Sequence, residues 1–102
     1  FWFGGGREDP IDGDFFIGSA DWMYRNLNNR VEATAPVESR PLRERLWEIL
    51  NIELQDHRQA WDMRPDGTYA LRDANGLSPE DPRLEGTHAT LMRLTCERLE
   101  GL

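Results

Sequence analysis

FFIGSADWMYRN, residues 15–26, is the stretch on which the fold turns. Phe15, Phe16 and Ile17 are three consecutive large apolar residues, and side chains on an extended chain alternate sides. Such a segment is apolar on both faces, and a strand of that kind belongs inside a covered sheet. It then runs abruptly into Gly18-Ser19, a small hydrogen-bonding turn, with Asp21 and Trp22 close behind. Working outward, Phe1-Trp2-Phe3 has the same two-faced character, and Gly4-Gly5-Gly6 ends it. The polar loop 7–14, REDPIDGD, leads back into a returning strand over 15–18. Because the first of these runs opens the sequence with no Met and no lead-in, we expect a fragment of a larger protein whose remaining part covers the second face.

With 102 residues, 38% of them hydrophobic, the chain has the size of one domain, and we expect a single domain over 1–102. A chain this short buries only roughly 60–70% of its unfolded surface. No apolar run approaches the roughly 20 residues of a membrane span. One cysteine, Cys96, excludes an internal disulfide and fits a reducing compartment, so the expected location is the cytoplasm, with peripheral membrane association of the parent kept as an option. The net charge of −7 argues against a nucleic-acid partner, whose binding rests on a basic face. All basic side chains are Arg, a bias that extends to the solvated faces.

Further along, 31–37 (VEATAPV) alternates Val31, Ala33 and Ala35 with Glu32 and Thr34, which predicts a half-buried strand closed or placed at an edge by Pro36. Residues 21–29 read as an irregular connection. Leu42, Leu46, Ile49, Leu50 and Leu54 recur at helical spacing and predict a helix over 41–57, with Ser39 as N-cap and Pro41 in the first turn. Arg64-Pro65-Asp66-Gly67 has the residues of a type I turn, so 60–71 reads as a hairpin in which Trp61 and Met63 meet Tyr69 and Leu71. Residues 73–86 carry no periodicity and read as a loop or linker. A terminal amphipathic helix is expected at 87–99. The expected class is α+β: a small mixed sheet packed against helices.

Chemistry has few places to sit. Gly4-Gly5-Gly6 lacks the Lys and following helix of a phosphate loop. The acids Glu8, Asp9, Asp12 and Asp14 miss the spacing of a calcium loop, which leaves a solvated acidic loop. His57 and His88 stand 31 residues apart with no metal-ligand or nucleophile setting, so structural roles are expected and no metal site. His57 should end the first helix, where it suits the negative dipole end. There remains GSADWMYRNLNNR, 18–30. Ser19 and the backbone N–H groups beside it sit where a strand end can receive an oxyanion. Arg25 and Arg30 are candidate phosphate clamps, and Asp21 a group that orients an arginine or histidine, or caps the next turn.

The residues FIGSADWMYRNLNNRVEATAPV, 16–37, resemble the signature of the last domain of bacterial polyphosphate kinases of the first type. That signature is a strand followed by Gly/Ser-Ser-Ala-Asp-Trp-Met, then Arg-Asn-Leu-Asp-x-Arg and Val-Glu with a proline nearby. The similarity continues through PLRERLWEILNIELQDHRQAW, 41–61, and DGTY, 66–69, and more weakly into the final helix. Two departures stand out: Asn28 replaces the usual Asp, and loop 7–14 is longer than the family norm.

The resemblance implies an enzyme that reversibly transfers the terminal phosphate of ATP to inorganic polyphosphate, with Mg2+, through a phosphohistidine intermediate. It implies a phospholipase-D-like domain, of which this chain would be the closing portion, with Gly18-Ser19-Ala20-Asp21 in the place of that superfamily's Gly-Ser-x-Asn. The implied partners are ATP or ADP, polyphosphate, upstream domains of the same polypeptide and further copies in a homo-oligomer. The catalytic histidines are expected upstream of Phe1, so no catalytic residue is expected in this chain, which should be inactive alone. Ser19, Asp21, Arg25 and Arg30 become phosphate-binding or site-orienting residues, Arg30 foremost. The rival readings are a phospholipase-D-like phosphodiesterase domain and a non-catalytic polyanion-binding or assembly domain.

Overall fold

The computed structural model describes all residues from Phe1 to Leu102. The chain divides into two compact units, Phe1–Trp47 and Glu48–Leu102.

In the first unit, β1 (Trp2–Phe3), β2 (Asp14–Gly18) and β3 (Thr34–Pro36) form an antiparallel sheet with β2 in the centre. The register pairs Trp2 with Phe15, Phe3 with Asp14, Phe16 with Pro36 and Ile17 with Ala35. Directly opposed residues share a face, so Trp2, Phe15, Ile17, Ala35 and Val37 lie on one side and Phe1, Phe3, Phe16 and Thr34 on the other. The first side holds the core: Phe15 is 2% exposed and Val37 is buried. Trp47, from helix α2 (Arg40–Gln55), stacks on Trp2 with ring centroids 4.7 Å apart. The opposite side is apolar as well, yet Phe1, Phe3 and Trp22 remain exposed. The two-faced strands read from the sequence are therefore present, with one face covered and one open.

Three expectations change here. The strand expected over 31–37 shrinks to β3, and Val31 points fully into solvent while Glu32 turns inward. Burying one valine fully would contribute about 1.5–3 kcal/mol. Glu32 instead takes charge-assisted bonds from Ser19 and Asn26, and these decide the local backbone. The connection over 21–29 contains a short helix, α1 (Tyr24–Asn28), entered from Met23. The acidic loop is not merely solvated. Asp9 caps a 3-10 turn at Pro10–Asp12 through the Ile11 N–H, and Arg40 pairs with both Asp9 (2.9 Å) and Asp12 (3.0 Å). Asp14 pairs with Arg7 at 3.2 Å.

The second unit contains the remainder of α2, the hairpin β4 (Trp61–Met63) with β5 (Tyr69–Leu71), a 3-10 turn at Pro82–Leu84 and helix α3 (Thr87–Glu100). The class is α+β as expected, but all pairing is antiparallel and the hairpin is a sheet of its own. The turn forms at Arg64–Gly67 as read, with the Gly67 N–H donating to the Arg64 carbonyl at 2.9 Å, and Trp61 faces Leu71 and Met63 faces Tyr69. Gly67 has φ +82°, the left-handed position that comes after a type I turn in a three-residue hairpin loop.

Helix α2 stops at Gln55, short of the expected 57, because Asp56 leaves the helix and organises the next turn of the chain. Its carboxylate accepts from the N–H groups of Arg58 and Gln59 and from both the N–H and the hydroxyl of Thr87. One buried acid thus supplies a turn after α2 and the missing cap of α3. Arg72 donates to the Leu54 carbonyl at the end of α2 while holding Asp62. His57 lies beyond the helix, its Nδ1 2.8 Å from the Gln55 carbonyl, so it addresses the last carbonyls from outside rather than ending the helix itself. The linker read over 73–86 contains the Pro82–Leu84 turn and is fastened by the His57 N–H on the Arg83 carbonyl.

Candidate functional site

The end of β2 and the start of β3 converge at Ser19. Its N–H donates to the Ala33 carbonyl at 3.1 Å, and its Oγ accepts from the Ala33 N–H at 3.2 Å. The hydroxyl proton goes to Glu32 Oε2 at 2.6 Å. The other carboxylate oxygen, Oε1, accepts from Asn26 Nδ2 at 2.8 Å. Gly18 is required next to this junction: a Cβ there would lie 2.9 Å from Thr34 Oγ1 and 3.1 Å from the Ala33 carbonyl oxygen. The abrupt Gly-Ser after an apolar strand is thus a close strand crossing that fixes a carboxylate.

Asn26 is 5% exposed, and its Oδ1 is a buried acceptor with no donor. An orphaned buried acceptor beside a half-buried carboxylate is a place made for an N–H donor. The Ser19 hydroxyl and the Asn26 amide, helped by the charge of Arg30, hold the Glu32 carboxyl below its ordinary range, so Glu32 is an anion at neutral pH.

The four residues singled out from the sequence do not share one setting. Ser19 is inside the network, with its donor committed to Glu32. Arg30 approaches Glu32 closely enough to act on it electrostatically. Arg25 lies on α1 with an exposed side chain, and the carbonyl of Arg25 accepts the Asn29 N–H. Asp21 instead lines an apolar cavity of ≈ 380 Å³ with Phe1, Phe3, Phe16, Trp22 and Leu27. Phe1 and Trp22 meet edge to face there, with centroids 5.9 Å apart. Sequence reasoning missed Glu32 and Asn26. Both lie inside the Arg-Asn-Leu and Val-Glu runs, but alternation read Glu32 as the solvent side of a strand.

The residues do not gather a metal-ligand set: no three His, Cys, Asp or Glu side chains come together in a way that could hold an ion.

The family model described as polyphosphate kinase C-terminal domain 2 matches residues 3–81, from β1 through the hairpin and into the loop before α3. The chain belongs to that family. It is 54% identical over 80 residues to a polyphosphate kinase of Synechocystis, covering 78% of this chain and 10% of the relative. The polyphosphate kinase of Thermosynechococcus vestitus is 44% identical over 101 residues, covering 99% of this chain and 13% of the relative. That of Pseudomonas aeruginosa is 41% identical over 81 residues, covering 79% of this chain and 11% of the relative. The chain therefore spans about a tenth of the length of these relatives. No solved structure matches it. The Ser19–Glu32–Asn26 network, both arginines and the lining of the aromatic cavity apart from Phe1 fall inside the stretch matched by the family model.

Proposed function

We propose that this chain is the closing portion of a phospholipase-D-like domain in a polyphosphate kinase that moves the terminal phosphate of ATP onto polyphosphate and back. The observation that carries the reading is the fixed Glu32 anion, with an orphaned acceptor beside it, inside a stretch that belongs to the polyphosphate kinase C-terminal domain family. A histidine contributed by the rest of the polypeptide attacks the γ-phosphorus. The bond to the bridging oxygen breaks and ADP departs; a terminal oxygen of polyphosphate then takes the phosphoryl group and frees the histidine. Neither His57 nor His88 belongs to the unit that holds Ser19.

In this reading the residues of the chain position and stabilise. Glu32 accepts an N–H from a histidine and holds its ring in one tautomer, the usual service of a carboxylate to a reacting imidazole. Ser19 fixes Glu32 and so acts on phosphate at second hand. Arg30, beside Glu32, meets the charge on the transferring phosphoryl oxygens, and Arg25 is an outer contact on the polyphosphate path. Asp21 orients a group at the mouth of the aromatic cavity. Mg2+, which the family implies, finds no ligand set among these residues, and no step is assigned to it.

The test uses the full-length enzyme. Arg30→Ala should lower ATP-dependent polyphosphate formation by about 100-fold or more with folding intact. Glu32→Gln should lower kcat by about 100-fold and alter its pH profile, because the amide keeps the shape and removes the charge. Wild-type turnover in both variants would remove these residues from the site.

A further inference from the structure

Asn26 carries the one buried side-chain polar atom that the fold leaves unmet. Its Nδ2 is spent on Glu32 Oε1 at 2.8 Å, while its Oδ1 is closed to solvent and has no donor. Buried acceptors in that condition are uncommon and costly. Because bulk water does not reach the atom, the donor that fits is a side chain already beside it. Asn26 lies on α1, and Arg30 follows four residues later, just past Asn29, which ends the helix in αR backbone. Residues four apart on a helical path share a face. Arg30 also stands close enough to act on the charge of Glu32, the group that Asn26 holds. Arg40, Arg72, Arg83 and Arg93 are each held by acids, but the exposed Arg30 guanidinium makes no hydrogen bond within the chain.

We infer that Asn26 is a positioning residue for Arg30: with a phosphate chain at the strand end, one guanidinium N–H docks on Asn26 Oδ1 and the others face the phosphoryl oxygens. The inference rests on the reading of Arg30 as a phosphate contact. A guanidinium has five N–H donors in a planar fork, so one edge can be anchored while the other stays on an anion. Glu32 supplies the attraction that draws the cation in, and the Asn26 amide oxygen supplies the direction. A neutral acceptor suits that task, since a second carboxylate would pair with the guanidinium and compete with phosphate for it.

A double-mutant cycle in the full-length enzyme tests the coupling. Asn26→Ala should lower kcat for ATP-dependent polyphosphate formation by about 100-fold, the effect of a misplaced contact. In an Arg30→Ala background the same change should cost no more than about tenfold, which leaves room for its hold on Glu32. Equal losses in the two backgrounds would overturn the inference, because Asn26 would then act through Glu32 alone. A crystal structure of the wild-type enzyme with inorganic tripolyphosphate reads the contact without any variant. It should show an Arg30 nitrogen about 2.7–3.2 Å from Asn26 Oδ1, and an Arg30 on phosphate with Asn26 Oδ1 still unmet would overturn the inference. Wild-type turnover in Arg30→Ala would sink the phosphate reading of Arg30 and the inference together. A slow Arg30→Ala with equal Asn26 losses would sink the inference only.

Discussion

Ser19 Oγ lies 2.6 Å from Glu32 Oε2, and the same Oγ receives the Ala33 N–H at 3.2 Å. One hydroxyl therefore ties the end of β2 to the entry of β3 and fixes an anion between them. In the fold the Ser19 hydroxyl supports a carboxylate.

Removing that support should show in the titration of Glu32. In Ser19→Ala the carboxyl should titrate at higher pH than in the wild type, because the hydrogen bond that contributes most to lowering it is gone. Carbon-13 NMR of the Glu32 side-chain carboxyl measures this, and an unchanged titration would show that Ser19 does not hold it.

Gly13 is buried against Trp2, and a Cβ there would lie 2.5 Å from Trp2 Nε1 and 3.0 Å from the carbonyl oxygens of Phe3 and Pro10. The indole cannot swing away freely, since it stacks on Trp47 and donates to the Pro10 carbonyl at 2.9 Å. Gly13→Ala should destabilise by about 1–3 kcal/mol, with a lower thermal midpoint. Trp fluorescence should report the displaced ring during the same melt.

Asp56 makes the second unit sensitive to acid. Burial by itself would raise its carboxyl, but the bonds from Gln59, Thr87 and Arg58 outweigh that and hold it well below the ordinary value of 3.8. The unfolded chain therefore takes up the proton first. The stability this acid contributes is complete above about pH 5 and drains away as pH falls through 3.8 toward the lower folded value. Asp56→Asn should lose about 1–3 kcal/mol at neutral pH, since its amide meets the Thr87 donors with donors of its own. Denaturant melts across about pH 3–6 should give a shallower slope for the variant; equal slopes would assign the acid sensitivity elsewhere.

At Gly67, with φ +82°, any Cβ is strained although the space around it is open. Gly67→Ala should cost about 1–2 kcal/mol, and Gly67→Asn less, because Asn tolerates the left-handed region. Similar losses for both would point to a contact rather than to backbone conformation.

The local pattern was legible wherever neighbours in sequence decide the outcome. The spacing of Leu42, Leu46, Ile49, Leu50 and Leu54 places α2, and Arg64-Pro65-Asp66-Gly67 places the hairpin turn with its partners in register. Two-faced apolar runs at Phe1–Phe3 and Phe15–Ile17 placed paired strands with a second apolar face, and the structure leaves that face exposed. The Ser-Ala-Asp-Trp-Met run was enough to point to the family.

What escaped the sequence are the partners of its polar groups. Alternation sets Val31 inside and Glu32 outside; hydrogen bonds from Ser19 and Asn26, 13 and 6 residues away, reverse that order. The acidic loop reads as solvated until Arg40, 31 residues beyond Asp9, is seen to clamp it. Asp56 reads as one more helix-end charge until Thr87, 31 residues on, brings it two donors. Periodicity and turn chemistry act over a few residues, so the sequence by itself determined the elements and the family. A carboxylate finds its donors only when distant segments meet, so the tertiary structure alone decided which acid Ser19 and Asn26 hold.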